Sequence, residues 1–166
     1  MKIIVEKYTD EALMQEACEF TMNHKGNSSI SLESIYKCEH SPMRTQQFIV
    51  RMYGIPAYVS THLVRHSAVG QQHYVGSHRE DRGGTEGAGR YTPVDHMMVL
   101  NAAHLVQMAH MRLCFQASAD TTGIMLKIRD MIHKIDPALA KMMVPKCMYT
   151  KGCNELKSCG FYKGGE

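Results

Sequence analysis

Apolar and polar positions change their period several times along the chain, and each change predicts an element. Lys2–Tyr8 alternates, which predicts an opening strand. Glu11–Asn23 has helical spacing, with Leu13, Ala17 and Phe20 on the side expected to be buried. Gly26–Ser29 reads as a turn, and Leu32–Lys37 as a short helix capped by Ser31. A polar corner, Cys38-Glu39-His40-Ser41-Pro42, leads into an apolar run over Phe48–Tyr53 that reads as a strand. Gly54 breaks this run, and Pro56 stands where a first helical turn accepts a proline. Ala57–His66 then reads as a short helix with His62, Arg65, His66 and Val69 on one side. A second strand is expected over Gln71–Arg79, with Gln71, His73, Val75, Ser77 and Arg79 facing one way.

Gly83–Gly89 holds four glycines, a loop that either closes over a ligand or merely connects. Thr92-Pro93-Val94-Asp95 carries a cap, a first-turn proline and an acid, which predicts a helix running to about Gln116. On that helix Asn101 and Arg112, three turns apart, would share a face with His104, Leu105 and Met108. Thr122–Lys134 predicts another helix, its core side being Ile124, Ile128, Met131, Ile132 and Ile135. Asp136-Pro137 starts a further short one.

Composition narrows the class. At 166 residues the chain suits a single domain, with a cysteine-containing tail at about 145–166. The net charge of +3 is too small for a polymeric nucleic-acid binder and fits a small anionic ligand better. The sequence has no apolar run near the ~18 residues of a membrane helix and no signal-peptide pattern, so a cytoplasmic protein is expected.

The candidate chemistry is concentrated in one stretch. Between Arg65 and Arg82 lie three arginines and three histidines, with Glu80 and Asp81 as the one pair of acids. A solvated basic face is the plain reading. Arg and His without Lys favour directed hydrogen bonding to a phosphate. The tail carries Cys147, Cys153 and Cys159 at even spacing. A structural metal such as zinc, free thiols and disulfides are all open there. A metal would need a fourth ligand from Cys38, His40 or another histidine.

On these residues the chain resembles the flavin-dependent thymidylate synthases. That family has a His-x-Ser/Thr-Pro corner before a strand, matched by His40-Ser41-Pro42 and Phe48. Its helix ends in Arg-His-Arg, matched by Arg65-His66, with His62 where a Gln is usual and Ser67 at the third position. Ser77-His78-Arg79 resembles its Ser-x-Arg segment, displaced by two residues. His73 stands where the family has Glu or Gln, and Asn101-Ala102-Ala103 followed by Arg112 resembles its Asn-Ala-Arg helix.

The resemblance implies an α+β fold with a twisted, mainly antiparallel sheet and flanking helices, assembled as a homotetramer. It implies conversion of dUMP to dTMP with methylenetetrahydrofolate and NADPH as co-substrates and FAD as cofactor. Arg112 would stabilise charge on the pyrimidine. Ser41, Arg65, His66, Ser67, His73, Asn101 and Gln107 would hold FAD. His40, His62, Arg65, His73, Ser77, Arg79, Arg90 and Arg112 would meet the substrates. Two other readings stay open: flavin-dependent alkylation of another pyrimidine nucleotide, motivated by Ser67 and His73, and a non-catalytic nucleotide-binding protein on the same scaffold.

Overall fold

The structure is a computed structural model in which residues 1–22, 30–66 and 70–162 are described. Its strands are β1 (Lys2–Lys7), β2 (Gln47–Pro56), β3 (Gln72–Val75) and β4 (Pro93–Asn101). They form one antiparallel sheet in the order β1-β2-β4-β3. The helices are α1 (Glu11–Met22), α2 (Leu32–Lys37), α3 (Ala57–Val64), α4 (Ala102–Arg112), α5 (Ala119–Ile135), α6 (Pro137–Met142) and α7 (Lys146–Tyr149). This is the α+β architecture, with an antiparallel sheet and flanking helices, that the resemblance implies.

One sheet face makes the core. Phe48, Val50 and Met52 of β2 and Val94, Met98 and Leu100 of β4 are buried in one cluster with Val59 and Leu63 of α3, Leu105 and Met108 of α4, and Ile124, Ile128 and Ile132 of α5. Strand alternation sends Ile4, Ile49, Arg51, Met97 and Val99 to the opposite face, where Tyr53 and Tyr74 stay exposed.

Asp136, buried at the α5–α6 junction, ties the helices to the sheet. It caps α6 through Leu139 N at 3.0 Å, accepts from Tyr36 Oη at 2.8 Å and pairs with Lys7 Nζ of β1 at 2.7 Å. Burial and the nearby carboxylate raise the Tyr36 hydroxyl, which stays a donor.

The structure corrects several expectations. The helix expected from Thr92 to Gln116 is a strand followed by a shorter helix. Val94, His96, Met98 and Leu100 alternate inward between β2 and β3, and this burial outweighs the Thr-Pro start signal. The cap is Asn101, whose Oδ1 accepts from His104 N at 3.1 Å. Asn101 and Arg112 therefore stand at opposite ends of α4, about 16 Å apart along its axis.

Gly54 does not end β2. It sits in a bulge at φ +67° with its N–H held by Asp95 Oδ1 at 2.9 Å, and the strand continues to Pro56. β3 stops at Val75, so Ser77 and Arg79 lie beyond the sheet. In α1 the buried side is Met14 and Cys18, while Leu13 and Phe20 are exposed. Ile135 is exposed, one turn past the buried stripe of α5. The expected turn at Gly26–Ser29, and Ser67 and Val69, lie outside the described residues.

Candidate functional site

The C-terminal ends of α3 and α4 meet around Arg112. Its Nη2 donates to the main-chain oxygen of His62 at 2.7 Å. Its Nε is buried without a partner, and no ion pair joins the guanidinium to a carboxylate among the described residues. Burial, and then the Arg65 charge, make its protonated form harder to hold than usual. His62 Nδ1 lies 3.0 Å from Thr121 Oγ1, which is 2.7 Å from Ser118 Oγ, so α5 fixes the ring. Burial, and then Arg112, Arg65 and Arg90, lower the His62 imidazole from its ordinary value. Burial, Arg112 and His73 push His66 down to about 4, and its Nε2 is buried without a partner. Cationic side chains and neutral imidazoles thus crowd one place that lacks its counter-charge.

An aromatic wall adjoins this cluster. Arg90 lies over the Tyr58 and Tyr91 rings at 4.8 and 5.2 Å, and Tyr58 meets His62 edge-on at 5.5 Å. The Tyr58 hydroxyl donates to Asp120. The first turn of α3 has no side-chain cap. The loop before β4 supplies acceptors instead, Arg90 O to Tyr58 N at 2.9 Å and Thr92 O to Ala57 N at 3.0 Å. These bonds place Arg90 across an open cleft of about 330 Å³ lined by Ala57, Tyr58, Thr61, His62, Arg65 and Arg90. Among the described residues no acid lines this cleft.

Behind the cluster runs a chain of neutral hydrogen bonds. Ser60 Oγ is 3.1 Å from His96 Nδ1, His96 Nε2 is 3.0 Å from His73 Nδ1, and His73 Nε2 is 3.3 Å from Gln71 Oε1. Gln71 Oε1 only accepts, so His73 carries its proton on Nε2. His96 must then donate from Nε2, and Ser60 donates to His96 Nδ1. Burial and His73 push His96 down to about 4, and burial lowers His73. The chain tethers α3 to β4 and β3 and directs hydrogen-bond donation outward towards the surface of β3.

Of the residues singled out by sequence, His62, Arg65, His66, His73, Arg90 and Arg112 belong to this region. His40, Ser41 and Gln107 are exposed, and Asn101 spends its side-chain oxygen on the α4 cap. Ser41 opens a short 3-10 helix, Ser41–Thr45. Arg79 makes a bidentate pair with Asp81 at 2.9 and 2.6 Å, both exposed, and Ser77 Oγ accepts from Arg79 N at 3.1 Å. His96, Ser60, Tyr58 and Thr121 were missed. The available signal for His96 was a lone polar residue in an apolar alternation.

Cys147, Cys153 and Cys159 do come together, lining a cavity of about 240 Å³ with Cys114 and His110. Among the described residues no three His, Cys, Asp or Glu side chains are placed to hold a metal. Cys38 and His40 line a different cavity beside Cys18, so neither supplies the fourth ligand. No helix among the described residues is long and apolar enough to cross a membrane.

Neither a protein-family profile nor a curated protein sequence matches the chain. Solved structures do. A thymidylate synthase X from Helicobacter pylori, solved with FAD and dUMP, superposes with a TM-score of 0.71 at 10% identity, covering 87% of this chain and 99% of that one. A second structure of that flavin-dependent enzyme, also with FAD and dUMP, gives the same score and identity, with 87% and 100% covered. The UMP/dUMP methylase PolB from Streptomyces cacaoi, bound to 5-Br dUMP, gives 0.58 at 12% identity, covering 85% and 94%. At these identities the likeness establishes a shared fold.

Proposed function

We propose that this chain is a flavin-dependent methyltransferase that converts dUMP to dTMP, with methylenetetrahydrofolate as the one-carbon source and NADPH as reductant. The observation that carries the reading is Arg112, half-buried with an unpartnered buried Nε, aimed by a main-chain carbonyl and, among the described residues, without a carboxylate partner, beside a cleft walled by Arg65, Arg90 and Tyr58. A half-buried cation without a counter-charge is costly unless an anion meets it. The solved neighbours that bind dUMP support a pyrimidine nucleotide as that anion.

The donor set suits FAD. The unpartnered His66 Nε2 and the Arg65 guanidinium offer a neutral imidazole edge and hydrogen-bond donors, as a flavin edge and phosphates require. Arg65, His66 and His73, with Ser67, Ser41, Asn101 and Gln107, would hold it. When bound, it supplies the redox chemistry.

The chain's own residues do the rest. Arg112 stabilises negative charge developing on the pyrimidine. Arg90 is the better-placed phosphate ligand, because the Arg79 fork is already occupied by Asp81. His62, whose Nδ1 is held by Thr121, would orient the base through its other ring nitrogen, His73 would back the base through the hydrogen-bond chain, and His40 offers a ring face to the folate.

Asn101 caps the far end of α4 from Arg112 and Gln107 is exposed, so we propose that a second copy completes each site within a homotetramer. Light scattering that finds only monomer with FAD bound would remove this part.

Incubation with FAD, dUMP, methylenetetrahydrofolate and NADPH, followed by nucleotide chromatography, tests the function. The expected product is dTMP, requiring all four components, with no reaction of dCMP. Absence of dTMP from flavin-loaded protein overturns the dUMP assignment. Methylation of UMP instead would establish the second reading, which the UMP/dUMP methylase neighbour favours. No product from either, with nucleotide still bound, would leave a binding protein.

A further inference from the structure

The cysteine cavity lies outside all of this chemistry. Its thiols come from three places in the chain: Cys114 just past α4, Cys147 on α7, and Cys153 and Cys159 in the tail. His110 is 9% exposed and has a buried Nε2 with no partner, and it lines the same cavity. The ring is fixed by Tyr149, 4.8 Å away and tilted by 31°. Four thiols and an orphaned imidazole around one cavity are a soft-metal donor set.

The tail itself needs such a tie. After Tyr149 the described chain has no helix or strand, and Leu156 is fully exposed. A ring contact between Phe115 and Phe161 and one bond from Gln116 to Lys157 O connect it to the region after α4. That is little apolar burial to fix a segment of this length.

We infer that Cys114, Cys147, Cys153 and Cys159 bind a thiophilic divalent cation of the zinc class, with His110 donating a hydrogen bond to one sulfur. The four thiol protons leave to solvent as the metal–sulfur bonds form. Among the described residues no three donors yet converge on one point. Binding therefore turns the thiols inward and draws the tail against α4, coupling metal uptake to local folding.

The test uses the full chain, purified reduced and without chelator. Elemental analysis should find about one zinc per chain. Cobalt added to zinc-free protein should give the intense near-ultraviolet absorption of thiolate coordination. Titration with a disulfide reagent should show Cys114, Cys147, Cys153 and Cys159 protected by zinc while exposed Cys38 still reacts. The double variant Cys153→Ser, Cys159→Ser should hold a small fraction of the wild-type zinc. If that variant does not fold, wild-type thiol protection decides. Tail thiols that react equally with and without added zinc, or a double variant that keeps its zinc, would overturn the site.

Discussion

Arg112 is oriented by the main chain of His62: a single bond of 2.7 Å from Nη2 to the carbonyl oxygen aims the guanidinium and leaves its charge uncompensated. A carboxylate in that place would orient the side chain equally well but would cancel the charge that a reaction needs. Arg112→Ala should keep the fold, because Thr122 Oγ1 bonds to the Arg112 main-chain oxygen, at 3.0 Å, and not to its side chain. Turnover should fall by about two to three orders of magnitude, the scale for losing one preorganised charge stabiliser. Arg112→Lys should also fail, since an ammonium lacks the planar fork. Single-turnover oxidation of reduced flavin with nucleotide and folate present is the measurement, and a wild-type rate in either variant would remove Arg112 from the mechanism.

The buried imidazoles make stability depend on acid. His66 and His96 are each lowered from 6.5 to about 4 in the folded chain. The unfolded chain therefore takes up protons first as pH falls. Their contribution to stability is complete above about pH 6.5 and drains away as pH drops towards about 4. Denaturant melts across this range should show a steady loss, and His96→Gln should make it shallower. A flat profile would mean that these rings are solvated.

Asp136 is 3% exposed and serves Lys7, Tyr36 and Leu139 N at once. Asp136→Ala strands a cation, a hydroxyl and a helix N–H together. The expected loss is about 3–5 kcal/mol by urea unfolding, the range for breaking a buried pair from one side. Asp136→Asn should lose less, because its amide oxygen can still cap α6.

Much of the fold was legible because burial and local propensity agree there. The regular runs of β1, β2, α2 and α5 were found with small errors at their ends. β4 was not. Its outward positions Met97 and Val99 are also apolar, so Val94–Leu100 reads almost without alternation, and Thr92-Pro93 supplied a helix start. The period could be settled only by knowing that neighbouring strands flank it on both sides. The face of α1 failed for a similar reason, since Met14 and Cys18 are no more apolar than Leu13 and Phe20, and tertiary packing chose between them. In the site, charge made Arg65, Arg90 and Arg112 visible. His96 and Ser60 act through a fold-dependent hydrogen-bond chain, and Cys114 joins the tail cysteines only in three dimensions.

Gly84 holds the loop between β3 and β4. A Cβ there would lie 2.2 and 2.3 Å from the His78 carbonyl carbon and oxygen, and 2.7 Å from Arg79 N. These are main-chain atoms, so no side-chain rotation relieves the clash, and overpacking of this kind costs about 1–3 kcal/mol locally. Gly84→Ala should move the loop that carries Arg79 and Arg90. The dUMP Kd should rise by about tenfold, equivalent to about 1.4 kcal/mol, with little change in Tm. Calorimetric titration showing wild-type affinity would mean that the loop does not hold nucleotide.

The central claim is that the Arg112 cluster and its cleft bind a flavin and a pyrimidine nucleotide side by side. Visible absorption spectroscopy of the purified chain with added FAD, before and after dUMP, tests it most directly. The account predicts flavin that stays with the protein through gel filtration and a shift of its absorption bands when dUMP is added. Arg112→Ala should retain the flavin with a weakened response to the nucleotide. Flavin that elutes free, together with a spectrum identical to that of FAD in buffer at saturating dUMP, would contradict it.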